Sequence, residues 1–184
     1  MRFFLFTILM CVVFSCKEDV QPKPNSFLRL DYPVSGYDTF DDAMYPYSFQ
    51  YSKGAKVLKR EKKWVNVYYP SMNATLMLSY MPVKNNLNAL FKDAEKLTFK
   101  HMIKADDIQA IPYENSEADV FGKLFEVYGN AATQLQFYAT DSVSNFMTGA
   151  LYFYAKPNYD SIMPAVNHLK KDVVRVMETL EWRR

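Results

Sequence analysis

The hydrophobic pattern of this chain changes period three times, and these changes constrain its fold more than any other feature. Apolar residues recur at three- and four-residue spacing from Leu87 to Leu97 and again from Ile162 to Leu180, which predicts two amphipathic helices. Elsewhere, apolar and polar residues alternate as in strands that have one buried face. The order of strands, helix, strands and helix predicts an α+β fold, in which both amphipathic helices pack on one face of a curved antiparallel β-sheet.

Alternation and aromatic or β-branched composition place the individual strands. The predicted strands are Phe27–Tyr32, Tyr47–Tyr51, Ala55–Leu58, Trp64–Tyr69, Ala74–Tyr80, Ile108–Tyr113, Val120–Tyr128, Thr133–Ala139 and Phe146–Tyr154. Lys53-Gly54 and Gly129-Asn130 are turn-forming pairs, so we expect a hairpin at each. The segment Val34–Pro46 is rich in aspartate and is expected to be a loop.

The amino terminus has the pattern of a secretory signal. Arg2 precedes an apolar run from Phe3 to Phe14, which is shorter than the roughly 20 residues that a transmembrane helix needs. The run ends at Ser15-Cys16, which resembles the lipobox of bacterial lipoproteins, where the cysteine thiol is acylated. We predict a signal peptide over residues 1–15, an acylated Cys16 with a flexible tether over 16–26, and one globular domain over 27–184. An ordinary signal peptide with a chance cysteine is the alternative.

Cysteine and histidine usage excludes several kinds of site. Processing at Cys16 removes Cys11 and acylates the other thiol, which leaves no cysteine for a disulfide, a metal or a nucleophile. The two histidines, His101 and His168, lack metal-ligand spacing, and no nucleotide-binding or nucleophile-elbow motif is present. A net charge of +2 offers no basis for binding nucleic acid. We therefore predict no enzymatic activity, no metal and no cofactor.

Aromatic residues provide the candidate binding surface. Alternation places certain side chains opposite the apolar face of their strands: Tyr138, Tyr152, Tyr154, Gln134 and Gln136. Tyrosine supplies large contact area at low entropic cost and is enriched at interfaces, so this pattern predicts a partner-binding sheet face. The alternative is a second layer of side chains that the protein's own strands or loops cover.

Two triplets resemble the Asp-Ser/Thr-apolar acceptor motif for O-glycosylation in Bacteroidota. They are Asp141-Ser142-Val143 and Asp160-Ser161-Ile162. Ser142 and Ser161 are therefore candidate modification sites. The second triplet also suits a helix start, with Asp160 or Ser161 as the N-cap.

Several segments together resemble the GldD family of gliding-motility lipoproteins. They are Pro22-Lys23-Pro24, Phe27–Pro33, Tyr45–Tyr47, Trp64–Pro70, Leu90–Ile103, Gly149–Ala155 and Asp160–Ile162. The resemblance implies a lipid-anchored envelope component of Bacteroidota, required for gliding motility and the linked type IX secretion system, with the acylated cysteine at Cys16. It implies no catalytic residue and no cofactor.

The resemblance leaves location and activity open. We expect a membrane-anchored lipoprotein that contacts other envelope proteins, on the periplasmic face rather than the cell surface, although Lys17-Glu18-Asp19 resembles a surface-export signal. A small-ligand or glycan-binding lipoprotein is the alternative: a deep apolar pocket would favour it, whereas a flat aromatic face would favour partner contacts. The predicted fold is also loosely Mog1/PsbP-like, a likeness that carries no function.

Overall fold

A computed structural model describes residues 36–99, 105–154 and 159–183 of the protein. The strands, numbered in chain order, are β1 (Tyr37–Phe40), β2 (Tyr47–Ser52), β3 (Lys56–Lys59), β4 (Val65–Tyr69), β5 (Ala74–Pro82), β6 (Asp107–Asn115), β7 (Val120–Tyr128), β8 (Thr133–Thr140), β9 (Asn145–Phe153) and β10 (Glu181–Trp182). The two helices are α1 (Leu87–Phe99) and α2 (Tyr159–Glu178). Neither has both the length and the apolar character that crossing a membrane requires.

The strands form two antiparallel sheets rather than one. The large sheet has the order β3-β4-β5-β9-β8-β7-β6, and the small sheet has the order β1-β2-β10. The α+β class with a large antiparallel sheet is thus confirmed. The hairpin expected at Lys53-Gly54 is wrong, because β2 pairs with β1 and β10 whereas β3 pairs with β4. The predicted strand Phe27–Tyr32 lies outside the described residues.

One face of the large sheet, called the inner face, carries the main core. Leu76, Leu78, Phe137, Met147 and Leu151 lie on it, and none is more than 2% exposed. Helix α2 and the small sheet both pack against this face within one continuous cluster of buried side chains. Burying a side chain of this size contributes roughly 1.5–3 kcal/mol, so the cluster is the main source of stability.

Packing on the inner face depends on a glycine in β9. Gly149 is paired with Leu78 on one side and Phe137 on the other. A Cβ atom at this position would lie 2.1 Å from a ring carbon of Phe137, far inside van der Waals contact. Glycine therefore allows the Phe137 ring to lie across the neighbouring strand.

Helix α1 lies on the opposite, outer face of the large sheet. Its Leu90 belongs to a second buried cluster with Phe125, Tyr138 and Phe146. Successive residues of a strand point to opposite faces, so Phe146 and the core residue Met147 lie on different sides of the sheet. The expectation that both helices pack on one face is therefore wrong. An apolar stripe shows that a helix must pack against something, but it does not select the face.

Candidate functional site: the outer face of the large sheet

Strand register aligns the side chains of the outer face in rows across the sheet. One row is Lys56, Tyr68, Thr75 and Tyr152, and the next is Leu58, Asn66, Met77, Ala150 and Gln136. Helix α1 covers the part of the outer face around Phe125, Tyr138 and Phe146. Seven side chains of the two rows keep partial or full exposure, and we call them the open face: Lys56, Leu58, Asn66, Tyr68, Met77, Ala150 and Tyr152.

Helix α1 covers one of the predicted site residues. Tyr138 is only 6% exposed, and its ring centroid lies 5.3 Å from that of Phe91 on α1 and 5.7 Å from that of Phe146. Gln136 is also buried, at 4% exposure. The expected exposed face therefore does not form as a single surface from all five residues. Of the predicted set, Tyr152 is half-buried and Tyr154 is exposed.

Gln134 leaves the outer face because the strand is irregular at this point. A β-bulge lies between Thr133 and Leu135, and it breaks the alternation on which the prediction depended. The Gln134 side chain is buried, and its Nε2 donates a hydrogen bond to the carbonyl oxygen of Ala131 at 2.9 Å. It lines a small cavity beside α2, on the inner side of the sheet.

A small groove separates α1 from the open face. Its lining includes Met77, Ala94, Thr148 and Tyr152, and its volume is about 120 Å³. Ligand sites usually enclose roughly 300–1,000 Å³, so this groove suits an inserted side chain better than a whole small molecule. Burial raises the pKa of Tyr152, whose hydroxyl is therefore a neutral hydrogen-bond donor at physiological pH.

An ion pair ties α1 to the sheet beside this groove. The ammonium of Lys123 on β7 donates to a carboxylate oxygen of Glu95 on α1 at 3.3 Å. This hydrogen bond raises the pKa of Lys123, and the pair is partly exposed to solvent. Exposed pairs contribute about 0–1 kcal/mol, so this contact adds little to the packing that holds α1 on the sheet.

The two candidate modification sites differ in exposure. Ser142 is exposed in the β8–β9 turn and has a left-handed backbone with φ of 65°. The carboxylate of Asp141 accepts three backbone N–H bonds in this turn, from Val143, Ser144 and Asn145; they lower its pKa although burial opposes them. Ser161 is half-buried in the first turn of α2. Glycosylation at either serine stays a prediction.

The remaining residues that the sequence analysis singled out are one cysteine and two histidines. Cys16 and His101 are outside the described residues, and His168 lies on α2. Within residues 36–99, 105–154 and 159–183, no three His, Cys, Asp or Glu side chains form a group that could hold a metal ion.

Sequence reasoning missed a buried acid. Asp172 on α2 is only 6% exposed, and its carboxylate accepts a hydrogen bond from the hydroxyl of Tyr37 on β1 at 3.2 Å. Burial raises the pKa of this carboxyl group above its ordinary value, against the opposing effects of Tyr37 and His168. The spacing in the sequence could have predicted this burial, because Asp172 lies three residues after Leu169 and so adjoins the apolar stripe of α2.

Comparison with known proteins gives one family and one fold. The family model described as "Gliding motility lipoprotein GldD" matches residues 17–182. The solution structure of cyanobacterial PsbP (CyanoP) from Synechocystis sp. PCC 6803 aligns with a TM-score of 0.50 and 8% identity, over 87% of this chain and 99% of that one. This confirms the PsbP-like fold alone. No curated protein matches the chain. Because the family model spans nearly the whole sequence, the chain belongs to the GldD family of gliding motility lipoproteins.

Proposed function

We propose that the protein acts non-enzymatically, as a lipid-anchored docking component in gliding motility and in the linked type IX secretion system. Family membership supports the motility role and the envelope location. The proposal of protein–protein contacts depends on the open face, a wide aromatic and apolar surface on rigid strands. That surface is the single observation that carries it.

The open face has the composition of the centre of a protein interface. Tyr68 and Tyr152 lie on either side of the buried Thr75, and the next row places Met77 and Ala150 together. Interface cores are rich in tyrosine and methionine and poor in charge, which fits this set. From β3 to β9 the surface crosses three strand spacings, or about 14 Å, the width of a small hot-spot cluster.

A ligand-binding role has less support. The groove beside α1 holds about 120 Å³, below the usual range of ligand pockets. Two grooves reach that range, about 340 Å³ beside Tyr113 and about 520 Å³ beside Trp64, but both are more open to solvent and enclose a ligand less. The adjoining open face is broad and shallow by contrast. Large aromatic side chains on a flat surface favour a macromolecular partner over a small molecule.

We further propose that Cys16 carries the acyl chains and that the domain faces the periplasm. The family match begins at residue 17, directly after this cysteine. Two or three acyl chains anchor a protein stably, since each buried methylene contributes about 0.8 kcal/mol. A Cys16→Ser variant tests whether anchoring is needed: gliding should be lost even if the chain is exported, and persistent gliding would contradict this part of the proposal.

The contact surface is tested by placing a charge at its centre. Ala150→Glu places a carboxylate on the open face. The replaced side chain is small and partly exposed, so the variant should still fold. We expect crosslinked partners to be lost from pulldowns of the native lipoprotein, and gliding and secretion to fail. Tyr152→Ser should also reduce partner recovery and motility, but by less than Ala150→Glu does.

The matched control introduces the same charge elsewhere. Ala89→Glu makes the identical substitution at an exposed position of α1, and it should keep partners and motility. Thermal unfolding of all variants shows whether each still folds. Normal partner recovery and gliding with folded Ala150→Glu would refute a role for the open face.

A further inference from the structure

We propose that the turn between β3 and β4 is a docking site for anionic phospholipid, which gives the protein a second contact with the membrane besides its lipid anchor. The turn consists of Arg60–Trp64, and we call it the basic turn. The inference rests on the lipoprotein character of the family and is independent of the open face.

The basic turn carries a net positive charge, part of which the neighbouring Asp42 offsets through its electrostatic attraction to Lys63. It contains three basic side chains and a single acid, Glu61. Among the described residues none of those three cations forms an ion pair, whereas the neighbouring Lys59 is paired with Asp42. Edge strands often carry lysines that prevent aggregation, but the turn lies beyond β3 and does not need them for that purpose. All three basic side chains are exposed, although the Lys63 ammonium lies 5.6 Å from the ring centroid of Tyr45. An anionic partner can therefore reach them from solvent.

An exposed tryptophan accompanies these cations. Trp64 is 38% exposed, its indole N–H donates to the carbonyl oxygen of Tyr80 at 3.0 Å, and the ammonium of Lys62 lies 5.7 Å from its ring centroid. A groove of about 520 Å³ runs from this ring past Met81 and Pro82. Tryptophan beside lysine is typical of membrane–water interfaces, where the ring enters the headgroup layer and the cation stays among the phosphates.

The backbone holds the lysines in place before any ligand arrives. Lys62 and Lys63 have φ of 56° and 63°, a left-handed conformation that is uncommon for residues other than glycine. The backbone N–H of Arg60 donates a hydrogen bond to the carbonyl oxygen of Trp64 at 2.8 Å, which closes the turn. The hydroxyl of Tyr47 donates to the carbonyl oxygen of Lys63 at 2.6 Å. Strain that surrounding contacts maintain is a common property of binding sites.

A lipid surface fits these features better than other anions do. A hydrophilic polyanion would contact the lysines but not the tryptophan or the apolar groove. A lipid headgroup layer would contact the lysines through its phosphates and the tryptophan and groove through its apolar part. Nineteen residues lie between Cys16 and Gly36, the first described residue, a reach of at most about 70 Å. A domain anchored at Cys16 therefore stays close enough to the bilayer for a weak surface site to be occupied.

The test uses the lipidated full-length protein in phosphatidylcholine vesicles, with or without phosphatidylglycerol, that contain brominated lipid as a fluorescence quencher. The chain has two tryptophans, so Trp182→Phe leaves Trp64 as the reporter. If that variant is unstable, the difference between the native chain and Trp64→Phe gives the same information. We expect quenching of Trp64 in vesicles with phosphatidylglycerol, little without it, and loss of quenching as salt is raised.

Removing the two lysines should abolish this signal. One basic side chain near an anionic membrane is worth about a fivefold change in partitioning, so Lys62→Gln with Lys63→Gln should lower the ratio of docked to undocked domain about 20- to 30-fold. The control, Lys92→Gln with Lys96→Gln, makes the same charge change at exposed positions of α1 and should retain quenching.

Three results would overturn the proposal. The first is equal quenching in neutral and anionic vesicles, and the second is an equal loss of quenching in the α1 control. The third is an unquenched Trp64 in anionic vesicles together with binding of a soluble polyanion such as heparin, which would identify a hydrophilic acidic partner instead.

Discussion

At the scale of single residues, Asp172 is a buried carboxyl group whose ionisation should affect stability. It lies in the core where α2 meets the small sheet, with Tyr37 as its hydrogen-bond donor and His168 one turn earlier on the helix. Burial disfavours the charged carboxylate and raises its pKa, so the folded protein binds a proton more tightly there than the unfolded chain does.

This shift sets the sign of a pH dependence. Between the unfolded pKa of about 4 and the higher folded pKa, the folded state holds more protons, so the free energy of unfolding falls as pH rises. Asp172→Asn should remove this slope and raise stability near pH 7 by about 1 kcal/mol, because the amide keeps an acceptor for Tyr37.

Urea unfolding across this pH range measures the effect. Asp93→Asn on the exposed side of α1 is the control and should leave the slope unchanged. Equal slopes in the native chain and in Asp172→Asn would show that this carboxyl group keeps its ordinary pKa in the fold.

At the scale of elements, α1 is the part whose place in the fold the sequence does not reveal. Its apolar stripe is evident, and the helix runs over Leu87–Phe99 as expected. Its position on the outer face depends on Phe91, whose ring packs edge-on against Tyr138 and Phe146, at 5.3 and 5.5 Å between centroids. That contact is also what buries a predicted binding residue.

Phe91→Ala should therefore destabilise the packing of α1 on the sheet while the main core stays folded. We expect a loss of about 2–3 kcal/mol, below the cost for a fully buried phenylalanine because Phe91 is half-buried. Hydrogen exchange should accelerate in α1 and at the adjoining end of β9, with little change in α2. Lys92→Ala, an exposed neighbour, is the control. Uniform acceleration over the whole chain would mean that α1 is inseparable from the core.

Short elements escape prediction for a related reason. β1 spans four residues, three of them exposed, in a segment whose aspartates and turn residues indicate a loop. Its strand conformation comes from pairing with β2 rather than from local preference. Longer strands carry enough alternation to be recognised: β7 begins and ends where the pattern predicts, at Val120 and Tyr128.

At the scale of the whole molecule, the two sheets are joined by α2 and by the carboxyl terminus. The guanidinium of Arg175 on α2 donates two hydrogen bonds to Oε1 of Gln50 on β2, at 3.0 and 2.7 Å. The indole N–H of Trp182 in β10 donates to the carbonyl oxygen of Asp119, between β6 and β7 of the large sheet, at 3.1 Å. Both sheets share one buried cluster, so neither should unfold alone.

This predicts a single cooperative unfolding transition for the described domain. Trp64 reports on the large sheet and Trp182 on the small one, since Trp182 lies in β10. Within each of the variants Trp64→Phe and Trp182→Phe, the denaturation curve from the remaining tryptophan should coincide, within error, with the curve from far-ultraviolet circular dichroism. If the remaining tryptophan of either variant reports a transition that precedes the one seen by circular dichroism in the same variant, the sheets are independent units.

The sequence by itself determined the α+β class, the two helices and most strands of the large sheet, because periodicity is a local property of the chain. The family resemblance is likewise a property of the sequence alone, carried by segments from Pro22 to Ile162. Only the tertiary structure decided that β2 and β3 belong to different sheets and that α1 covers Tyr138 on the face opposite α2. Those outcomes depend on contacts between segments far apart in the chain, and a pattern of apolar residues shows what must be buried without showing which partner buries it.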